Sequence, residues 1–371
     1  MITVYQVVSD TNIGGAGRYL LNYVKHFDRT KFKVTVLIPE GSKLKSFLEP
    51  VSDIVVKEIP YMADKSYDKR CVKVLQELFT KEHVDIVHTH ASLSARIAAR
   101  KAGVGTIIAT RHCIEQKGRF PISLVKRICN NLLCDIYVAV SDAVAENLLD
   151  CGIHKKKIKT IPNGVAPIQE LSAQEKQKLR GRLGIGDEMV FGIFARLEPV
   201  KGHQYFIEAA RDFLKNGGKG KFLIVGDGTL ADTLKQQAAD IPEIIFTGYV
   251  EDTTALLNIT DVNVLASQSE AMSLAILEAM SLKKPTIATR VGGNPQLIVP
   301  IENGLLTEYA DSRDMANAFF QFFQDQSLYE TCANNAGACY SRLYTAEKMV
   351  NNIERLYEEV ANENNKHEKK D

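Results

Sequence analysis

Short apolar runs recur along the chain, each closed by polar or turn-forming residues. In the first half they are Ile2–Val8, Val34–Ile38, Ile54–Ile59, Val84–Val87, Thr106–Ala109 and Ile136–Val140. The runs are continuous rather than alternating, which predicts strands buried on both faces. Helix-period stretches such as Tyr19–Phe27 lie between most of them. This alternation is the rhythm of a parallel, doubly wound sheet. It pauses at Ile161-Pro162-Asn163-Gly164-Val165-Ala166-Pro167, where two prolines and an Asn-Gly mark a turn or linker. A charged helix candidate follows at Ser172–Arg182. Strand runs then resume at Val190–Ala195, Lys221–Val225, Ile244–Thr247, Val262–Ala266 and Pro285–Ala288. The pattern predicts two similar α/β domains, residues 1–168 and 169–345, and a frayed polar tail over 362–371.

Composition narrows the classes. The 371 residues are 45% hydrophobic and 25% charged, enough apolar material for two cores. A formal net charge of +1 gives no global field for nucleic acid, so no nucleic-acid partner is expected. The seven cysteines are odd in number and scattered, with no C-x-x-C pair. Reduced thiols and a cytoplasmic location are the expectation. No basic leader opens the chain, and no run of about 18 apolar residues crosses a membrane.

Five groups of residues carry candidate chemistry. Gly14-Gly15-Ala16-Gly17-Arg18 follows the opening strand and precedes a helix, where glycines let a ligand approach free amides. It reads equally as a plain tight turn. Glu40, after the second strand, imitates a ribose-binding acid and keeps a dehydrogenase reading open. Arg196 sits at the carboxyl end of the second domain's first strand, and Lys201 lies just beyond a proline turn. Two such cations suit a diphosphate, or are solvated loop charges. Glu270 and Glu278, eight apart, flank the small-residue stretch Ala271-Met272-Ser273 before a helix. Glu270 would sit in the loop and Glu278 two turns into the helix. Ser267 to Glu270 reads alternatively as a capping box. Fourth, His88, His90 and His112 fall at strand ends of the first domain. No acidic or cysteine cluster completes a metal site around them. Between Arg96 and Leu132 stand eight cations (Arg96, Arg100, Lys101, Arg111, Lys117, Arg119, Lys126, Arg127) and one acid, Glu115. This is a solvated face, or a surface for an anionic acceptor or peripheral contact with anionic lipid.

With these residues the chain resembles family 4 of the retaining glycosyltransferases over nearly its whole length. The most specific element is the E-x7-E pair Glu270 and Glu278. Supporting it are Arg196 with Lys201, Asn163-Gly164-Val165, Gly226-Asp227-Gly228, Phe246-Thr247-Gly248-Tyr249-Val250 and Gly292-Gly293. The resemblance implies a GT-B fold: two Rossmann-like doubly wound parallel-sheet domains facing a central cleft. A last helix near 346–360 would cross back onto the first domain. It also implies roles. Arg196 and Lys201 would neutralise a diphosphate leaving group, so that no metal and no cofactor is needed. Glu270 would bind the hexose and Glu278 the ribose of a UDP- or GDP-sugar. The amides of Met272, Ser273 and Leu274 would hold sugar and phosphate, and Gly248, Tyr249 and Val250 would cradle the base. Gly15 would approach the donor phosphate. His112 would face the transferred sugar, with His90 and Arg111 on the acceptor side. Departures from the family pattern are Ala271 and Ser273 in the first carboxylate's motif, Ala166 after the linker, and Gln296 where an acid is usual. The implied reaction is retaining hexosyl transfer to an unidentified glycan, lipid or small molecule. A sugar-nucleotide epimerase, an inactive transferase-like binding protein and, more remotely, a nicotinamide oxidoreductase are the other readings.

Overall fold

The computed structural model describes residues 1–115 and 122–368, the side chains of 122–126 and 364–368 excepted. Its contacts divide the chain into two units. Unit 1 is Met1–Ala166 with Ala346–Asp371, and unit 2 is Pro167–Thr345.

Unit 1 holds seven parallel strands: β1 (Ile2–Val8), β2 (Phe32–Pro39), β3 (Ile54–Ile59), β4 (Ile86–His90), β5 (Thr106–Arg111), β6 (Ile136–Ala139) and β7 (Ile158–Thr160). Their order is β3-β2-β1-β4-β5-β6-β7. The continuous apolar runs behave as expected of strands covered on both faces: β1 buries its last five residues and β4 all five. Pattern reading misses β7, because Ile158-Lys159-Thr160 is a short edge strand with two exposed residues. The chain returns to unit 1 at Ala346, whose amide donates to Val165 O at 2.9 Å. The helix Ala346–Glu368 then packs Met349, Val350, Ile353, Leu356, Tyr357 and Val360 into the core formed by β1, β2 and the helix Gly15–His26. It runs eight residues past its expected end, so the frayed tail read from residue 362 is helix as far as Glu368.

Unit 2 has six parallel strands: β8 (Met189–Phe194), β9 (Gly220–Val225), β10 (Ile244–Gly248), β11 (Val262–Leu265), β12 (Thr286–Thr289) and β13 (Gly304–Thr307), ordered β10-β9-β8-β11-β12-β13. Four phenylalanines fill the centre of its core: Phe191 stacks on Phe222 at 5.4 Å, with Phe213 and Phe319 edge-on or tilted against them. The helix Ala173–Arg182 has no buried residue and is held instead by a capping box from Ser172 and Glu175. All seven cysteines are free, and among the described residues no helix is long and apolar enough to cross a membrane.

Candidate active site

Ligands of open parallel sheets bind beyond the carboxyl ends of the strands, where the strand order reverses. In unit 2 the reversal lies between β8 and β11. Arg196 follows β8 and is exposed. Lys201 ends the 3-10 turn Pro199–Lys201, and Glu270 lies in the loop after β11. Lys201 Nζ donates to Glu270 Oε1 at 2.6 Å, with the side chains only 23% and 12% exposed. The capping-box alternative for Glu270 does not hold. The helix starts four residues later, at Leu274, and its cap is Ser273, whose Oγ accepts from the Ile276 amide. Glu270 is a loop carboxylate pinned by an ion pair.

Three loops are tied together to place that pair. Gly202 closes the Lys201 turn at φ 68°, and a Cβ there would lie 2.0 Å from Ala266 O, so only glycine lets the turn seat against the end of β11. The Gln268 amide donates to Val200 O at 2.8 Å, and the Gly293 amide donates to Glu270 O at 3.0 Å. Met272 and Ser273 are buried at the start of the helix Leu274–Ser281, and Leu274 is half-buried. Glu278 is half-buried little more than one turn into that helix, nearer its start than the sequence spacing suggested. At the far side of the sheet Gly248 ends β10, Tyr249 is 72% exposed, and Val250 packs on the apolar cluster beneath.

In unit 1 the reversal lies between β1 and β4. Gly14 caps the helix Gly15–His26 at φ −93°. A Cβ on Gly14 or Gly15 would meet nothing within 4 Å, whereas one on Gly17 would lie 3.0 Å from Leu44 Cδ2. Neither packing nor a left-handed φ demands glycine at 14 and 15, and Gly14 stands at the helix N-cap, a position glycine favours.

His88 and His90 lie inside β4, two apart and so on one face. Their rings stack at 4.8 Å, and His90 stacks on His112 at 5.1 Å, with Tyr19 tilted against both. His90 Nδ1 lies 2.8 Å from His112 Nε2, and His90 Nε2 lies 3.1 Å from Gln6 Oε1. Gln6 Nε2 donates to Tyr357 OH at 2.8 Å. That hydroxyl also bonds His88 Nδ1, and His88 Nε2 meets Thr110 Oγ1 at 2.6 Å. Burial pushes His88 down to about 3 and His112 to about 4, and holds His90 well below the ordinary imidazole value. The stack is therefore neutral near pH 7. His90, expected on the acceptor side, is fully buried with both ring nitrogens engaged. Of the three histidines only His112 is partly exposed.

Arg111 is half-buried, paired with Glu115 at 3.2 Å and lying over the Tyr137 ring. Just past β4, Ala91 sits at φ 79°, a left-handed conformation that costs a non-glycine residue about 1–2 kcal/mol and marks strain at this edge. The basic segment is partly structural. Arg96 is buried and bonds Asn130 Oδ1 and Tyr137 OH, so it does not belong to a solvated cationic face, while Arg100 is exposed and pairs with Asp135 at 2.6 Å. Lys117 and Arg119, and the side chain of Lys126, lie outside the described residues. Two residues of unit 1's edge escape pattern reading. Gln6 had a signal, a polar residue in the middle of the apolar run Ile2–Val8. Tyr357 had none, since its hydroxyl meets Gln6 only through the fold. Among the described residues no three His, Cys, Asp or Glu side chains group to hold a metal ion.

Comparison with known proteins now decides the family. The model described as "Glycosyltransferase Family 4" matches residues 13–168, and that described as "Glycosyl transferases group 1" matches residues 175–338. Between them the two matches span most of the chain. The chain belongs to the family 4 glycosyltransferases. Among its family relatives is the Escherichia coli UDP-Gal:alpha-D-GlcNAc-diphosphoundecaprenol alpha-1,3-galactosyltransferase, 29% identical over 93% of this chain and 92% of that protein. Another is the N-acetyl-alpha-D-glucosaminyl L-malate synthase of Bacillus anthracis, 26% identical over 83% of each. The GT-B fold is shared with Anabaena HepE, solved with UDP-glucose, at a TM-score of 0.85 and 22% identity over 97% of this chain and all of that one.

Proposed function

We propose that this glycosyltransferase moves a hexosyl group from a UDP-sugar to an acceptor hydroxyl, with retention of anomeric configuration and without a metal ion or cofactor. The observation that carries the reading is the Lys201–Glu270 pair, held at 2.6 Å at the strand reversal of unit 2, where Arg196 follows β8. When the bond from the anomeric carbon to the diphosphate breaks, charge builds on the leaving oxygen. Arg196 and Lys201 stabilise it where a divalent ion does so elsewhere. An ammonium has three N–H donors, so Lys201 keeps Glu270 in place while it also donates to phosphate. Glu270 accepts from a hydroxyl of the hexose, and Glu278 from the ribose. The helix start at Met272, Ser273 and Leu274 holds sugar and phosphate, and Gly248, Tyr249 and Val250 take the base. The acceptor oxygen bonds the anomeric carbon on the face the diphosphate leaves, and its proton passes to the leaving phosphate. In unit 1, Gly15 leaves room for phosphate, and His112 faces a hydroxyl of the reacting sugars. Uridine is favoured over guanosine by the donor named for the E. coli relative and by the ligand of the Anabaena structure.

A thermal-shift panel tests the reading. UDP and UDP-hexoses at 100 times their dissociation constants should add about 2.7 kcal/mol of stability, with GDP compounds inert. Turnover of the UDP-sugar should survive excess EDTA. Indifference to every nucleoside diphosphate, or activity lost to EDTA and restored by Mn²⁺, would sink it.

A further inference from the structure

We infer that Gln6 and Tyr357 are positioning residues that fix the tautomer of His112, so that its Nδ1 carries a lone pair and the group it meets on the substrate is a hydroxyl donor. The inference rests on the reading that His112 faces a reacting sugar. The relay itself is geometry. Gln6 Nε2 donates to Tyr357 OH, so the amide carbonyl is the atom turned toward His90. A carbonyl oxygen only accepts, and His90 Nε2 therefore carries a proton. A neutral imidazole has one N–H, which leaves His90 Nδ1 bare. His112 Nε2, 2.8 Å away, must then be the donor, and His112 Nδ1 is the unprotonated nitrogen. The neutrality this needs is supplied by burial of both rings.

Tyr357 carries the direction set by the Gln6 amide on to His88. Its hydroxyl has one proton. It accepts from Gln6, gives its own proton to His88 Nδ1, and His88 passes its Nε2–H to Thr110 Oγ1. Reversing the amide would place NH₂ against His90 and force the protons onto Nδ1 of both His90 and His112. His112 would then present an N–H, a donor to any accepting oxygen, and could no longer accept the proton of a hydroxyl. The two arrangements differ in the orientation of the Gln6 amide, and the Tyr357 hydroxyl is the partner that holds its NH₂ end. Ring packing of Tyr357 against Tyr23, Phe32 and His88 is independent of that hydroxyl.

Long-range ¹H–¹⁵N NMR of histidine-labelled protein reads the tautomers directly, with His112 assigned by its loss in His112→Asn. The wild type should show Nε2–H at both His90 and His112. Nδ1–H at His112 overturns the proposal. Tyr357→Phe keeps the ring and frees the amide to turn. It should give a mixture of His112 tautomers and a fall in kcat of about 10–100-fold, by analogy with loss of a group that orients a liganding histidine, at nearly unchanged donor KM. Gln6→Leu should act in the same direction. Unchanged tautomers in both variants overturn the relay. Shifted tautomers with unchanged kcat leave the relay standing and remove His112 from the reaction.

Discussion

The two units share one architecture and differ in what they place at its reversal point. Each is a parallel sheet whose strand order turns back beside its first strand, β1 in unit 1 and β8 in unit 2. At that point unit 1 carries stacked neutral rings, two of them fully buried, joined by short hydrogen bonds. Unit 2 carries charges on loops, a partly exposed Lys–Glu pair and, after β8, an exposed arginine. The fold supplies a place and the side chains supply the chemistry. Neutral imidazoles sort hydroxyls by donor and acceptor direction, whereas charges answer the charge of a leaving group. The glycines differ in the same sense. Gly202 is required by the protein's own backbone, while Gly15 is required by nothing in the protein.

The largest expected effect separates charge from tautomer chemistry. Lys201→Ala should lower turnover by about 10²–10³, the cost of losing one preorganised electrostatic contact, and weaken donor binding far less. Wild-type turnover with only a raised KM would make the pair ordinary binding. Next, Gly202→Ala should destabilise unit 2 by at least about 2 kcal/mol, from the left-handed φ and the approach to Ala266 O. Its unfolding temperature should drop by about 4–8 °C with unit 1 unaffected, as read by calorimetry. A drop shared by both units would refute the local origin.

Acidification should tell the units apart. The folded values of His88 and His112, about 3 and 4, lie below the unfolded value of about 6.5. As pH falls below 6.5 the unfolded chain takes up protons that the folded rings refuse. Stability is then lost at about 1.4 kcal/mol per pH unit for each such histidine, until the folded value is reached. Among the described residues unit 1 has three of these histidines, His90 included, and unit 2 has His203, which burial pushes down to about 4. Amide exchange followed from pH 6.5 to 4 should show unit 1 opening first. Earlier opening of unit 2 contradicts the burial argument. The smallest effect is Gly15→Ala, which should leave stability unchanged or raise it by about 0.5 kcal/mol, as alanine does in helices. Nucleotide-sugar binding should nevertheless weaken by about tenfold, the size of one lost hydrogen bond. A stable variant with full affinity would return this loop to a plain turn.

What was legible in the chain follows from range. Eleven of the strands announce themselves as continuous apolar runs, because burial on both faces is written into consecutive residues. The edge strands β7 and β13 are silent, since Ile158-Lys159-Thr160 is largely exposed and Gly304-Leu305-Leu306-Thr307 offers only two consecutive apolar side chains. The loop position of Glu270 was readable from spacing, but its partner was not. Whether Ser267 or Ser273 caps the helix depends on where the chain turns after β11, and both offered a suitable side chain. His90 looked like a surface ligand because it closes an apolar run. Only the fold sets Tyr19, His88, His112 and Gln6 around it and buries it. By itself, then, the sequence determined the layers, the two-unit division and the residue types at each strand end, all consequences of local burial and turn chemistry. The tertiary structure decided which charge meets which, and which buried polar side chains are joined in one line. Lys201 and Glu270 are 69 positions apart and Gln6 and Tyr357 are 351 apart, and contacts at such separations are set only when the sheets and the last helix close their cores.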